Sequence, residues 1–207
     1  MTRSRRVAVA LAGATAAALL AGCTEDSAIP QPSLESRIDV DNAELRAAKA
    51  DAGVEPCPEP EAGTPGSDLA DVALPCLGGG PEVRLADVQG PAVVSVWASW
   101  CVSCPDELPL FNRLHEEAGD RVTVLGVDYQ DTKPGAALAL LEETGAVYPQ
   151  VADPGGELAD HYRLTGLPAL VLVDGEGRTE FLREVVDDYA ELTALVAEHT
   201  GVDVRAR

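Results

Sequence analysis

Cys101 and Cys104, in Trp100-Cys101-Val102-Ser103-Cys104, have the types and spacing for redox chemistry. Two sulfurs placed this way meet across one helical turn, so they can close into a disulfide and reopen with little backbone movement. The chemistry is thiol–disulfide exchange, with a thiolate as the nucleophile. A helix beginning at Cys101 would set its free N–H groups and positive dipole end beside the first sulfur and favour the thiolate. Half a zinc ribbon or a plain structural bridge has the same spacing. Zinc needs a second ligand pair, and Cys57 and Cys76 lie far apart with no Cys or His at knuckle spacing, so no metal is expected.

The elements that must position this pair are readable around it. The apolar run Ala92 to Ala98 leads straight into the dithiol and predicts a central strand of a sheet covered on both faces. Val102 to Glu117 predicts a helix with Leu108, Phe111, Leu114 and His115 inward, kinked at Pro109, whose ring excludes the bond back to residue 105. Short strands are expected at Val72–Leu74 and Val83–Leu85, a buried strand at Val122–Val127, and helices at Gly135–Glu143, Glu157–Tyr162 and Asp188–His199. Ala169–Val173 and Thr179–Arg183 read as a hairpin across Asp174-Gly175-Glu176-Gly177. Residues 68–207 suffice for one α/β domain with a real core.

Upstream, Arg3, Arg5 and Arg6 precede the uncharged apolar stretch Val7–Leu20, a secretory signal too short for a permanent membrane helix. It ends in Leu20-Ala21-Gly22-Cys23, which resembles the lipobox of bacterial lipoproteins; that resemblance implies cleavage before Cys23 and its diacylation. Ordinary signal cleavage would leave Cys23 a spare thiol. Residues 23–67 read as a tether and N-terminal extension. Thr24–Ile38 is too polar for a core, Asp39–Ala52 is one helix with Asn42 or Asp41 as cap and Leu45, Ala48 and Lys49 at helical spacing, and Glu55–Ser67 is a Pro-rich loop.

With Cys101 and Cys104 as one pair and Cys23 lipidated, Cys57 and Cys76 are left for each other, and an exported location permits a lasting bridge. Closing that loop would contribute about 3 kcal/mol. Four cysteines allow other connectivities, and a second redox pair relaying electrons to Cys101 is the competing reading. The formal charge is −20, and removing residues 1–22 would leave about −23. Such a field disfavours nucleic acid and anionic headgroups, so membrane attachment would come from acyl chains. His115, His161 and His199 form no ligand cluster, Asp128, Asp131 and Asp153 read as turn residues, and no phosphate loop or dinucleotide fingerprint is present.

Over residues 68–199 the chain resembles the thioredoxin fold, and more narrowly the TlpA/ResA group of membrane-tethered thiol–disulfide oxidoreductases. The motifs are Trp97-Ala98-Ser99-Trp100-Cys101-Val102-Ser103-Cys104, Glu107-Leu108-Pro109, Asp153-Pro154-Gly155-Gly156-Glu157-Leu158-Ala159 and Tyr162-Arg163-Leu164-Thr165-Gly166-Leu167-Pro168. The resemblance implies an α/β fold with a central mixed sheet flanked by helices. It implies Cys101 as exposed nucleophile, Cys104 as resolving thiol, and Pro168 as a cis-proline that leaves the Leu167 backbone open to a bound peptide. Trp100 would shield the edge of the site, and Glu107 would tune thiol ionisation and proton transfer.

Two departures bear on the chemistry. Val102-Ser103 lacks the family's usual proline before the second cysteine, which alters the balance of dithiol and disulfide. Ser95 stands where thioredoxins keep a buried acid, so the proton route must differ, with Glu107 as candidate. For function the resemblance implies reduction of protein disulfides such as the C-x-x-C-H segment of apocytochrome c, fed by a membrane thiol transporter, without a cofactor. The alternatives are an oxidant that introduces disulfides and a binding lipoprotein whose Cys101–Cys104 bridge is structural. A peroxiredoxin pattern would need a Thr where Ala98 stands.

Overall fold

A computed structural model of the chain describes residues 38–59, 66–183 and 185–204. The signal segment, Cys23, the tether through residue 37 and part of the Pro-rich loop lie outside the described residues. The elements are α1 (Ala43–Asp51), β1 (Ala73–Leu74), β2 (Val83–Arg84), β3 (Ala92–Trp97), α2 (Cys104–Ala118) and β4 (Thr123–Tyr129). They continue with α3 (Pro134–Thr144), β5 (Gln150–Asp153), α4 (Leu158–Tyr162), β6 (Ala169–Val173), β7 (Thr179–Leu182) and α5 (Tyr189–Thr200). Five strands form one mixed sheet in the order β5-β4-β3-β6-β7, while β1 and β2 pair separately. Parallel β3–β4 and β4–β5 pairs meet antiparallel β3–β6 and β6–β7 pairs, so β3 is central. Every residue of β3 is buried, as its unbroken apolar character requires.

One apolar cluster holds α2, α3 and α5 on one side of the sheet, with Leu114, Leu138, Leu141, Leu192 and Val196 at its centre. A second, on the other side, gathers Leu74, Leu85, Leu125, Val127, Val171 and Leu158. Residues of the extension join the first cluster through Val40, Leu45, Ala52 and Val54, so this segment shares the domain's core. Its helix starts at Ala43, four residues later than expected. Asn42 is the cap: its side chain accepts from the Glu44 and Leu45 N–H groups, each at 3.1 Å.

β5 was not expected from the sequence, and its edge is covered by the Cys76 segment. Leu77 N–H donates to the Gln150 carbonyl and Ala152 N–H to that of Pro75, both at 2.9 Å. β4 runs two residues past the expected end, to Tyr129. Helix α2 continues through the exposed Pro109 to Ala118. The hairpin turn is as expected, with Asp174 Oδ1 accepting from the Glu176 and Arg178 N–H groups. Among the described residues no helix is long and apolar enough to cross a membrane.

Candidate active site

Strand β3 delivers the chain to the loop Ala98–Ser103, and the dithiol closes there as a Cys101–Cys104 disulfide with Cα atoms 5.5 Å apart. Cys101 N–H donates to the Ala98 carbonyl at 3.1 Å, folding the loop back on the strand end. The helix begins at Cys104 with Ser103 as N-cap, not at Cys101 or Val102. Pro105 is the reason. It has no N–H, and a helix begun at Val102 would ask it to bond back to residue 101, whereas a first-turn position leaves nothing missing. Cys101 therefore sits just off the helix N-terminus, within reach of its dipole.

The sulfurs are less open than expected. Cys101 is 6% exposed and Cys104 1%, because both join Trp97, Leu108 and Phe111 in the apolar cluster. The order of access is the expected one, but Cys101 presents an edge rather than an exposed side chain. Around that edge stand Trp100, 54% exposed, and Val102, 96% exposed. Trp100 Nε1 donates to the Gln130 carbonyl at 3.2 Å, which fixes the indole over the loop. Ser103 Oγ lies 4.0 Å from Cys101 Sγ.

On the neighbouring strand, antiparallel register sets Ala169 opposite Val96, so Pro168 enters β6 beside the end of β3. The Leu167–Pro168 bond is cis, as is Gly90–Pro91. Pro168 is buried and Leu167 half-buried, and the Leu167 peptide groups have no backbone partner among the described residues.

Glu107 is one helical turn from Cys104, on the same face of α2. It is 4% exposed, and its Oε1 accepts from the Val186 N–H at 2.6 Å. Burial pushes its pKa from 4.5 up to about 7, partly opposed by the Val186 bond and aided by Asp187, Asp106 and Glu191. Ser95, in the place of the missing acid, shares a 3.0 Å hydrogen bond with the Tyr148 hydroxyl. Trp97 Nε1 donates to Gln150 Oε1 at 2.9 Å.

A second buried acid escaped the sequence reading. Asp128 is not a turn residue: it lies in β4, in register with Trp97 and fully enclosed. Burial and the adjacent Asp131 hold its pKa well above the usual carboxylate range. Asp131 is a loop residue that accepts from the Ser99 and Lys133 N–H groups, each at 2.8 Å, and so anchors the turn before Cys101. Asp153 does the expected turn work, accepting from Glu157 and Leu158 N–H. Asp128 was detectable as an Asp between Val127 and Tyr129, two strand formers extending an apolar run. Among the described residues no group of three or more metal-ligating side chains forms.

Residues 65–181 match the model of the AhpC/TSA family. The chain belongs to that family. Within the AhpC/TSA family it falls among the thiol–disulfide oxidoreductases of the TlpA/ResA type, as its relatives show. It is 33% identical over 132 residues to the thiol:disulfide interchange protein DsbE of Pseudomonas fluorescens biotype C, covering 62% of this chain and 72% of that one. It is 34% identical over 116 residues to HelX of Rhodobacter capsulatus, covering 55% of this chain and 64% of that one. The structure of MTB DsbF in mixed oxidized and reduced forms superimposes with a TM-score of 0.57 at 26% identity, covering 63% of this chain and 96% of that one. The thioredoxin-like fold expected from the sequence is the one observed.

Proposed function

We propose that this oxidoreductase works outside the cytoplasm, held to the membrane by a lipid on Cys23, and reduces disulfides in other proteins. The observation that carries the reading is a dithiol at the end of β3, its nucleophile beside the exposed Trp100 and Val102, with Pro168 entering the neighbouring strand at that same end and the Leu167 backbone without a backbone partner among the described residues. An extended substrate segment can pair with that backbone while its disulfide meets Cys101. The Cys101 thiolate attacks, a mixed disulfide forms and one substrate sulfur leaves. Cys104 passes its proton to the Glu107 carboxylate and attacks Cys101, which releases the second substrate sulfur and leaves the disulfide described above. A carboxyl group with a pKa of about 7 is half ionised at neutral pH, suited to taking that proton and giving it up.

Relatives named thiol:disulfide interchange proteins support protein substrates. The resemblance points to apocytochrome c as substrate and to a membrane thiol transporter as electron donor. The test is the Cys104→Ser variant, which strands Cys101 in mixed disulfides that can be trapped in cells and identified. Apocytochrome adducts together with a strongly negative wild-type potential support the proposal. Diverse secreted proteins with a high potential make the chain an oxidant, and no adduct makes the bridge structural.

A further inference from the structure

The second disulfide, Cys57–Cys76, has Cα atoms 5.9 Å apart and lies on the outer side of β5, in a setting a mere staple does not need. Lys49 reaches it from α1. This lysine is 8% exposed, and its Nζ donates to Cys76 Sγ and to the Gly79 carbonyl, each at 3.0 Å. A disulfide sulfur is a weak acceptor, so the buried ammonium has one good partner and no anion of its own. The carboxylate acting on it from its own segment is Asp41, already engaged by Arg46 at 2.6 Å. The turn facing it contributes no charged side chain, only the backbone of Gly78, Gly79 and Gly80. A Cβ at Gly78 would lie 2.8 Å from Lys49 Cβ, so glycine there is what lets the turn close onto the lysine. On the other sulfur, Cys57 Sγ is 3.2 Å from the Gln150 carbonyl oxygen. A disulfide sulfur has nothing to donate to it, but a thiol does.

Both sulfurs are thus provided with the partners of their reduced forms. We propose that Cys57–Cys76 is a second redox site, opened by a dithiol donor, with its product state built in as a Cys76 thiolate on Lys49 and a Cys57 thiol on Gln150. A donor thiolate attacks Cys57 Sγ, the S–S bond breaks, and the electron pair leaves on Cys76 Sγ. The donor's second thiol, losing its proton, displaces Cys57, which takes up one proton. The donor becomes a disulfide, two electrons enter the pair, and one of the donor's two protons goes to solvent. Cys57 is the sulfur approached because it is the less enclosed of the two, 3% exposed against 1% for Cys76, and the exposed Pro56 and Pro58 that flank it line surface cavities beside it. Burial lowers the Lys49 pKa, consistent with a cation short of a counter-charge.

Proton stoichiometry gives the test. Full-length protein is equilibrated in reduced and oxidised dithiothreitol mixtures, acid-quenched, alkylated after denaturation and mapped by peptide mass, so the two disulfides are read separately. Between about pH 5.5 and 7.5, below the ordinary thiol pKa of ~8.5, the equilibrium of Cys57–Cys76 with dithiothreitol should shift toward the reduced pair about tenfold per pH unit, because the donor gives up two protons and the pair keeps one; a pair that kept both would show no slope. In Lys49→Met the slope should vanish, and at pH 7 reduction should be about 30-fold less favourable, the tenfold-per-unit dependence accumulated from about pH 5.5 to 7 by a thiolate that lysine had stabilised. The absence of a slope in the wild type, an unchanged slope and midpoint in Lys49→Met, or a pair that stays oxidised in excess reductant would each overturn the proposal. The wild-type slope decides even if the variant folds poorly, and the Cys101–Cys104 peptides in the same sample report independently on the first site.

Discussion

Replacing Glu107 by Gln separates the buried carboxyl group from everything else in the site. The amide keeps the shape and an oxygen for the Val186 N–H, but it cannot ionise. In the folded chain the Glu107 pKa is about 7 against an ordinary 4.5, so the native state holds this proton more tightly than the unfolded state does. The stabilisation is therefore fully present below about pH 4.5, and it declines as pH rises until it is lost above the folded value of about 7. At 1.36 kcal/mol per unit the whole swing is about 3 kcal/mol, and most of it falls before pH 7. Urea unfolding of the oxidised protein, in which neither thiol titrates, measures it directly. Wild type and Glu107→Gln should differ least at pH 4.5, and by pH 8 the variant should have gained about 3 kcal/mol relative to wild type. Parallel stability curves from pH 4.5 to 8 would refute the reasoning, because they would mean that the carboxyl group is solvated in both states.

Asp128→Asn keeps a donor for Asp131 and removes the buried acid, so stability should fall less between pH 5 and pH 8 than in wild type, measured by the same unfolding series. Asp131→Ala should cost about 2–3 kcal/mol near neutral pH, since the Ser99 and Lys133 N–H groups lose their acceptor. It should also slow reduction of a model disulfide by loosening the turn before Cys101. Replacing both Cys57 and Cys76 by Ala should cost about 3 kcal/mol in denaturant unfolding, the chain-entropy value for a loop of about twenty residues.

What the sequence made legible was local or carried by a motif. The Cys101–Cys104 pair, the buried β3 and the Asp174–Gly177 turn depend on neighbours a few residues away, and Pro168 followed from the family resemblance. The start of α2 was misplaced because the helical pattern was carried back past Pro105, which marks the first turn. Gln150–Asp153 was missed because two apolar residues between polar ones give no strand signal; pairing with β4 and the Cys76 segment makes the strand. Asp128 shows two principles in competition. Asp favours turns, yet here the apolar run through Tyr129 keeps it in the sheet and Asp131 provides its partner. Lys49 stood at helical spacing with Leu45 and Ala48 in the sequence, but its sulfur partner comes from residue 76 and could not be seen without the fold.

The central claim is that Cys101 is an ionised, reachable sulfur with Cys104 held behind it. The direct measurement is the rate of iodoacetamide alkylation of the reduced protein against pH, with the modified residue identified by peptide mass. The account predicts labelling at Cys101, with a midpoint below the ordinary thiol value of ~8.5 and Cys104 protected until the protein is unfolded. Equal labelling of both cysteines, or no labelling of Cys101 before unfolding, would contradict it.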